Sequence, residues 1–186
     1  TWSMANRLTN TSVLVAGLIV GVAGHGLSAA ETASAKKADA ERAEAVIQKL
    51  GGKVTTNEKS LGKPVISVVF PPGTTTDAGL EHVEGLTQLR LLDLTGTQVT
   101  DAGLEHLKGL NELQTLKLGY TRITDSGLER LKGLTQLQEL NLHSTKVTDA
   151  GLEHLKGVTQ LQMLDVAYTK VTDAGLLHLE GSAQLL

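Results

Sequence analysis

Thr100-Asp-Ala-Gly-Leu104 decides the fold, because the same five residues return at Thr76–Leu80, Thr148–Leu152 and Thr172–Leu176, with a serine variant at Thr124–Leu128. The spacing is 24 residues throughout. A fixed period in the twenties with several leucines per unit specifies a solenoid, since one unit cannot bury its apolar face alone and stacked units share a continuous core.

One unit opens Leu89-Arg-Leu-Leu92-Asp-Leu94 and continues through Thr97, Val99, Thr100, Gly103, Leu104, Leu107, Gly109 and Leu110. Further units begin at Leu113, Leu137 and Leu161, while Val65, Val68 and Phe70 fall in the register of Leu89, Leu92 and Leu94. Residues 65–88 are therefore a degenerate first repeat. The alternation in Leu92-Asp-Leu94 predicts a short strand with one buried face. Leu104, Leu107 and Leu110 are three apart, which predicts a short helix, with Thr100 or Asp101 placed to cap it. Gly109 and its equivalents Gly85, Gly133, Gly157 and Gly181 stand where left-handed residues would end that helix. Gly103 and its equivalents are placed to allow close backbone approach. So short a helix depends on packing against its neighbours.

These residues resemble the leucine-rich repeat family, whose Leu-x-x-Leu-x-Leu-x-x-Asn-x-Leu motif matches four units nearly position for position; the resemblance spans residues 65–184. It implies an α/β fold: a curved right-handed horseshoe segment, with short parallel strands on the concave face and short helices on the convex face. The family's asparagine is threonine here, at Thr97, Thr121, Thr145 and Thr169. A buried hydroxyl still donates and accepts, with less reach than an amide. The Ile/Val-Thr-Asp-x-Gly-Leu half is similar to the cysteine-containing subclass of F-box proteins and to repeats of exported bacterial proteins. The chain has no cysteine and no F-box-like segment, which favours the bacterial kind.

The chain of 186 residues carries 17 basic and 20 acidic side chains, net charge −3, so its totals show no nucleic-acid footprint. Without cysteine it has no disulfide, thiolate metal site, acylated lipoprotein anchor or Cys nucleophile. Residues 1–30 read as an export signal, with Thr1-Trp2-Ser3 an overhang before Met4, a basic Arg7, the apolar run Val13–Ala23 and small residues Ser28-Ala-Ala30 suited to cleavage before Glu31. The rival is an uncleaved anchor; the apolar run is short of the ~20 residues a span needs and carries Gly17 and Gly21. Localisation is thus exported, to the periplasm, cell envelope or medium, with anchoring as the alternative. Residues 31–37 read as a flexible linker, and 38–64 as a capping helix, carried by Ala43, Val46, Ile47 and Leu50 and closed by Gly51-Gly52, plus a strand. Residues 65–186 hold five repeats, the last incomplete or uncapped, with Ser182 in a core slot.

Core positions hardly change between units, while outward strand positions vary. Those outward rows predict a concave partner-binding patch of Leu91, Asp93, Lys117, Tyr120, Glu139, Asn141, His143, Met163, Asp165 and Tyr168, because adjacent strands lie ~4.8 Å apart. Drift on a solvated face is the competing explanation, and the exposed tyrosines favour binding. His82, His106, His154 and His178 recur at one position, but successive helices are ~8–10 Å apart, so four rings cannot reach one ion and no metal is expected. His143 beside Ser144 lacks a nucleophile elbow, and Asp165, two residues off its row, is not expected to orient the ring. Arg122, Lys146 and Lys170 form a basic rim able to hold an anion, or simply solvated. The sequence thus predicts a non-enzymatic protein-binding scaffold without cofactor or nucleic acid. The alternatives are an assembly unit that self-associates through its C-terminal repeat, or a fragment of a larger repeat protein.

Overall fold

The computed structural model describes residues 29–182 and Leu185, with side chains from Lys37 onward. The export signal read at residues 1–30 lies outside them except for its last two residues. Helix α1 runs Ala29–Lys49, so residues 31–37, expected to be a flexible linker, are instead early turns of this helix. Alanine, lysine and glutamate are strong helix formers, and small-residue composition alone was a poor guide there. The helix ends in a paired-glycine turn: Gly51 has φ +82°, its N–H donates to the Gln48 carbonyl at 3.0 Å, and Gly52 N–H reaches Ile47 at 2.9 Å. Ile47 is fully buried, with Ala40, Ala43 and Leu50 packed beside it against the core.

Strand β1 (Lys53–Thr56) pairs antiparallel with β2 (Val65–Val69), and four three-residue strands follow in parallel. These are β3 (Leu91–Asp93), β4 (Thr115–Lys117), β5 (Glu139–Asn141) and β6 (Met163–Asp165). Their order in the single sheet is the chain order. Register is set by the repeat, for Leu92 pairs with Leu116, Leu116 with Leu140 and Leu140 with Leu164. A slip of one residue would turn this column outward, so the buried leucines fix the pairing. The ladder continues past the strands, where Leu94, Leu118 and Leu142 N–H groups each donate at 2.8 Å to Lys117, Asn141 and Asp165. Those three leucines are fully buried. The result is an α/β solenoid of leucine repeats with one sheet along one side and short helical turns along the other.

The helical side is built from single turns. Four α turns, α2 (Asp77–Leu80), α3 (Asp125–Leu128), α4 (Asp149–Leu152) and α5 (Asp173–Leu176), each lead into one 3-10 turn. The second repeat is 3-10 throughout, Gly103–Leu107. Only there does the terminating glycine become left-handed: Lys108 at φ −60°, ψ 128° and Gly109 at φ +93° make a type II turn. Gly85, Gly133, Gly157 and Gly181 do not adopt positive φ, because the residue before each stays right-handed helical and prolongs the 3-10 turn.

Aspartates of the pentapeptide join one repeat to the next. Asp77 accepts the Thr100 backbone N–H at 2.7 Å on Oδ1 and the Thr100 hydroxyl at 2.6 Å on Oδ2. Asp101 holds Thr124, Asp125 holds Thr148 and Asp149 holds Thr172 in the same two-point manner, at 2.6–2.8 Å. Thr172, through its backbone N–H first and its hydroxyl second, holds the Asp149 carboxyl below its ordinary value. The carboxylate fills the space beside the next glycine. A Cβ on Gly103, Gly127, Gly151 or Gly175 would stand 2.3–2.5 Å from the preceding repeat's aspartate Oδ1. The close approach at these glycines is made chiefly by that side chain, with the Asp149 Cα also 2.9 Å from a Cβ on Gly175. Capping by threonine within its own turn is weak by comparison, at 3.3–3.4 Å for Thr100, Thr124 and Thr172.

Buried Thr97, Thr121 and Thr145 turn their hydroxyls onto the carbonyl three residues back, Leu94, Leu118 and Leu142, at 2.5–2.7 Å. Each group is thereby satisfied inside its own repeat. Toward the last repeat the core opens: Leu164, Val166 and Val171 are only partly buried, and Leu176 and Leu177 are 40% and 63% exposed. Ser182 is buried in its leucine slot, and its hydroxyl donates to the Val158 carbonyl at 3.1 Å. Among the described residues no helix is long and apolar enough to cross a membrane.

Gly127 and Gly133 provide a matched pair, since a Cβ at Gly127 meets Asp101 Oδ1 at 2.4 Å and Ile123 Cγ2 at 3.0 Å, while nothing lies within 4 Å of one at Gly133. Gly127→Ala is expected to lose about 1–3 kcal/mol in urea unfolding, and Gly133→Ala to change stability by no more than about 0.5 kcal/mol.

Candidate interaction face

Strand pairing brings the outward residues into straight rows. Leu91, Thr115, Glu139 and Met163 are register partners, as are Asp93, Lys117, Asn141 and Asp165. Residues two apart on a strand share a face, so both rows look away from the leucine column. Beyond the strand ends the chain turns, and the eighth residue of each full repeat is left-handed: Gly96 at φ +69°, Tyr120 at +58°, Ser144 at +54° and Tyr168 at +57°. Glycine meets that requirement freely, whereas a residue with a Cβ is less stable there by about 1–2 kcal/mol. The turn is guided by the fifth-place side chain where it can accept. Asp93 Oδ1 takes Thr95 N–H, Asn141 Oδ1 takes His143 N–H and Asp165 Oδ1 takes Ala167 N–H, at 2.9–3.0 Å. Lys117 has no acceptor, and its repeat has Gly119 two residues on, with room that Asn141 Oδ1 uses from the next strand.

Five of the ten sequence-predicted residues meet in one cluster. The Tyr120 hydroxyl and His143 Nε2 are 3.0 Å apart. The His143 ring lies between two tyrosines, with centroids 4.9 Å from Tyr120 and 5.0 Å from Tyr168. Asp165 Oδ2 accepts from Asn141 Nδ2 at 2.9 Å and stands 3.5 Å from His143 Nδ1. Asp165 thus comes closer to the ring than its place two residues off the His143 row suggests, although its hydrogen bonds go to Asn141 and Ala167 rather than to the imidazole. The contact does not make a catalytic triad, because Tyr120 rather than a nucleophilic serine occupies Nε2. Leu91, Asp93, Lys117, Glu139 and Met163 share the rows, but no hydrogen bond or ion pair joins them to this cluster among the described residues. Tyr120, Tyr168 and Met163 are 62%, 83% and 52% exposed. Ser144 was not among the ten predicted residues, and the left-handed conformation of the row it belongs to was not read from the sequence. The available signal was the recurring Asp or Asn three residues before it.

On the helical side the lysines are held in ion pairs. Glu105 pairs with Lys108 and Arg130, Lys132 with Glu129 at 3.1 Å, and Lys156 with Glu153 at 3.0 Å. His106 faces Glu84 at 3.4 Å rather than another histidine. Among the described residues no group of three or more His, Cys, Asp or Glu side chains is placed to hold a metal ion.

A family model described as leucine rich repeat matches residues 87–147. The chain is similar to internalin C2 from Listeria monocytogenes, at 26% identity and a TM-score of 0.50, over 77% of this chain and 70% of that one. A second internalin of the same organism, internalin F, also shares 26% identity over 80% of this chain, with a TM-score of 0.46; there the chain spans 47% of its length. No curated protein matches the sequence. With repeats stacked in register on a parallel sheet and that match across residues 87–147, the chain is built as a leucine-rich repeat solenoid.

Proposed function

We propose that this protein is an exported, non-enzymatic binding module that holds a protein partner on its outward strand face. The observation that carries the reading is the placement of Tyr120 and Tyr168. Both are largely exposed, and both occupy left-handed positions that Gly96 fills without cost in the second repeat. Nothing in the core requires an aromatic there, and backbone strain kept for an exposed side chain points to use of that side chain. Tyrosine suits the purpose, since it offers a broad amphipathic surface for little lost side-chain freedom. The rows carrying Leu91, Asp93, Lys117, Glu139, Asn141, Met163 and Asp165 supply varied contacts around the tyrosine–histidine cluster, against an unvarying core. Export is supported by the sequence of residues 1–30, with its basic start, apolar run and small residues before Glu31.

Affinity capture from the producing cells, with the full chain and with Tyr120→Ala, Tyr120→Gly and Lys117→Glu, checks the reading. All three variants are expected to lose the partner recovered by the parent, by about tenfold for a tyrosine at the centre of an interface. Tyr120→Gly should also be about 1 kcal/mol more stable than Tyr120→Ala, since only glycine relieves the left-handed strain. Equal recovery by every version would remove the strand face from consideration. Sequencing the N-terminus of the chain recovered outside the cytoplasm is expected to begin at Glu31; a chain starting at Met4 would contradict cleaved export.

A further inference from the structure

Two sets of basic side chains in this solenoid behave differently. On the helical side Lys108, Lys132 and Lys156 each bind the glutamate three residues before them. In the tenth-place row Arg122, Lys146 and Lys170 are exposed, and none lies within ion-pair distance of a carboxylate among the described residues. Their backbones hold them in line, for Arg122, Lys146 and Lys170 N–H groups donate to Val99, Ile123 and Val147 on the preceding repeat. Three like charges thus stand one ladder spacing apart, ~4.8 Å at the backbone, without a counter-charge of their own. Two residues before each is the left-handed position, so Tyr120, Ser144 and Tyr168 border the basic row along its length.

We infer that this strip, Arg122, Lys146 and Lys170 together with Tyr120 and Tyr168, docks an acidic polypeptide segment laid across the strands; the inference rests on the proposed strand-face function and supplies the chemistry of its partner. Charge complementarity argues for the acid, because a partner's carboxylates would neutralise a row that the protein leaves uncompensated. Half-buried Leu91 and exposed Met163 on the same face argue for a polypeptide, whose apolar side chains can cover them, rather than for an acidic polysaccharide, which has none. Two of the three strand carboxylates, Asp93 and Asp165, oppose this less than their charge suggests. Asp93 is engaged by Thr95 N–H, and Asp165 by Ala167 N–H and Asn141, so both are partly satisfied from within. The partner's acidic side chains would lie over the loop edge and its apolar ones over the strands.

Fluorescence anisotropy on the full chain tests it, with a labelled decapeptide of alternating Glu and Ala as probe, its Gln–Ala counterpart as the neutral control and polygalacturonate as the competing class. The Glu–Ala peptide is expected to bind saturably and to weaken as salt rises, while the Gln–Ala peptide does not bind. Arg122→Gln/Lys146→Gln/Lys170→Gln should weaken it about tenfold, as three exposed pairs together would. Lys108→Gln/Lys132→Gln/Lys156→Gln, which removes the same charge from the helical side, should change it by about twofold or less. Unchanged unfolding midpoints in both triple variants show that folding is not the cause. Equal weakening in the two triples, absence of saturable peptide binding, or saturable binding of polygalacturonate alone each overturns the inference. A partner captured through the strand face by a chain that ignores the Glu–Ala peptide would overturn it while leaving the proposed function standing.

Discussion

Everything in this solenoid depends on a carboxylate that each repeat lends to the next. The aspartate of Thr-Asp-x-Gly-Leu opens its own helical turn but spends both oxygens on the threonine of the following repeat, one on its N–H and one on its hydroxyl. Charge-assisted bonds of this kind are short and about twice as strong as neutral ones. They also explain why the pentapeptide is so nearly invariant along the chain. Threonine supplies two donors at one position, aspartate two acceptors, and glycine the empty volume into which the carboxylate fits. Leucine then closes the turn over the core. None of these substitutes for another, so the motif repeats as a unit.

This division of labour leaves the other side of the molecule free to vary. Cohesion between repeats comes from the leucine columns, the parallel ladder and the aspartate bridge, all of which lie behind or beside the outward strand face. Substitutions there cost little core energy, and the rows do change from one repeat to the next. The one place where the face runs against the scaffold is the left-handed turn residue, tyrosine in two repeats and serine in a third. His143 sits between those tyrosines and is hydrogen-bonded to Tyr120, which gives the cluster a fixed shape before any partner arrives. Preorganisation of that sort lowers the entropy cost of binding.

Much of the architecture was legible in the sequence because periodicity reports it directly. Leu92, Leu116 and Leu140 recur at the repeat length and pair in register, and Val65, Val68 and Phe70 identify the degenerate first unit by the same phase. What could not be read was anything set by contacts between repeats rather than within one. Asp101 looks like a capping residue for its own helix, and only the stacked structure reveals its hold on Thr124. Gly85 and Gly133 look like left-handed terminators, but whether a 3-10 turn stops before or after them is decided by tertiary packing. His143 and Asp165 seem too far apart along the rows until side-chain length is added to the strand spacing. In the candidate face, the residue types and rows were legible; the backbone strain at Tyr120 and Tyr168 was marked only indirectly, by Gly96 in the same row and by the Asp or Asn three residues before the turn in the other repeats.

A double-mutant cycle at one bridge tests the central claim most directly. Asp125→Ala, Thr148→Val and the double variant can be compared by equilibrium unfolding, since the Thr148 hydroxyl donates to Asp125 Oδ2 at 2.7 Å and no hydroxyl remains in valine. If the bridge holds the repeats together, each single change destabilises, and Thr148→Val costs nearly nothing once Asp125 is gone, giving a coupling of about 1–2 kcal/mol. Losses that simply add would show that aspartate and threonine contribute independently, and the account of how these repeats are joined would fail.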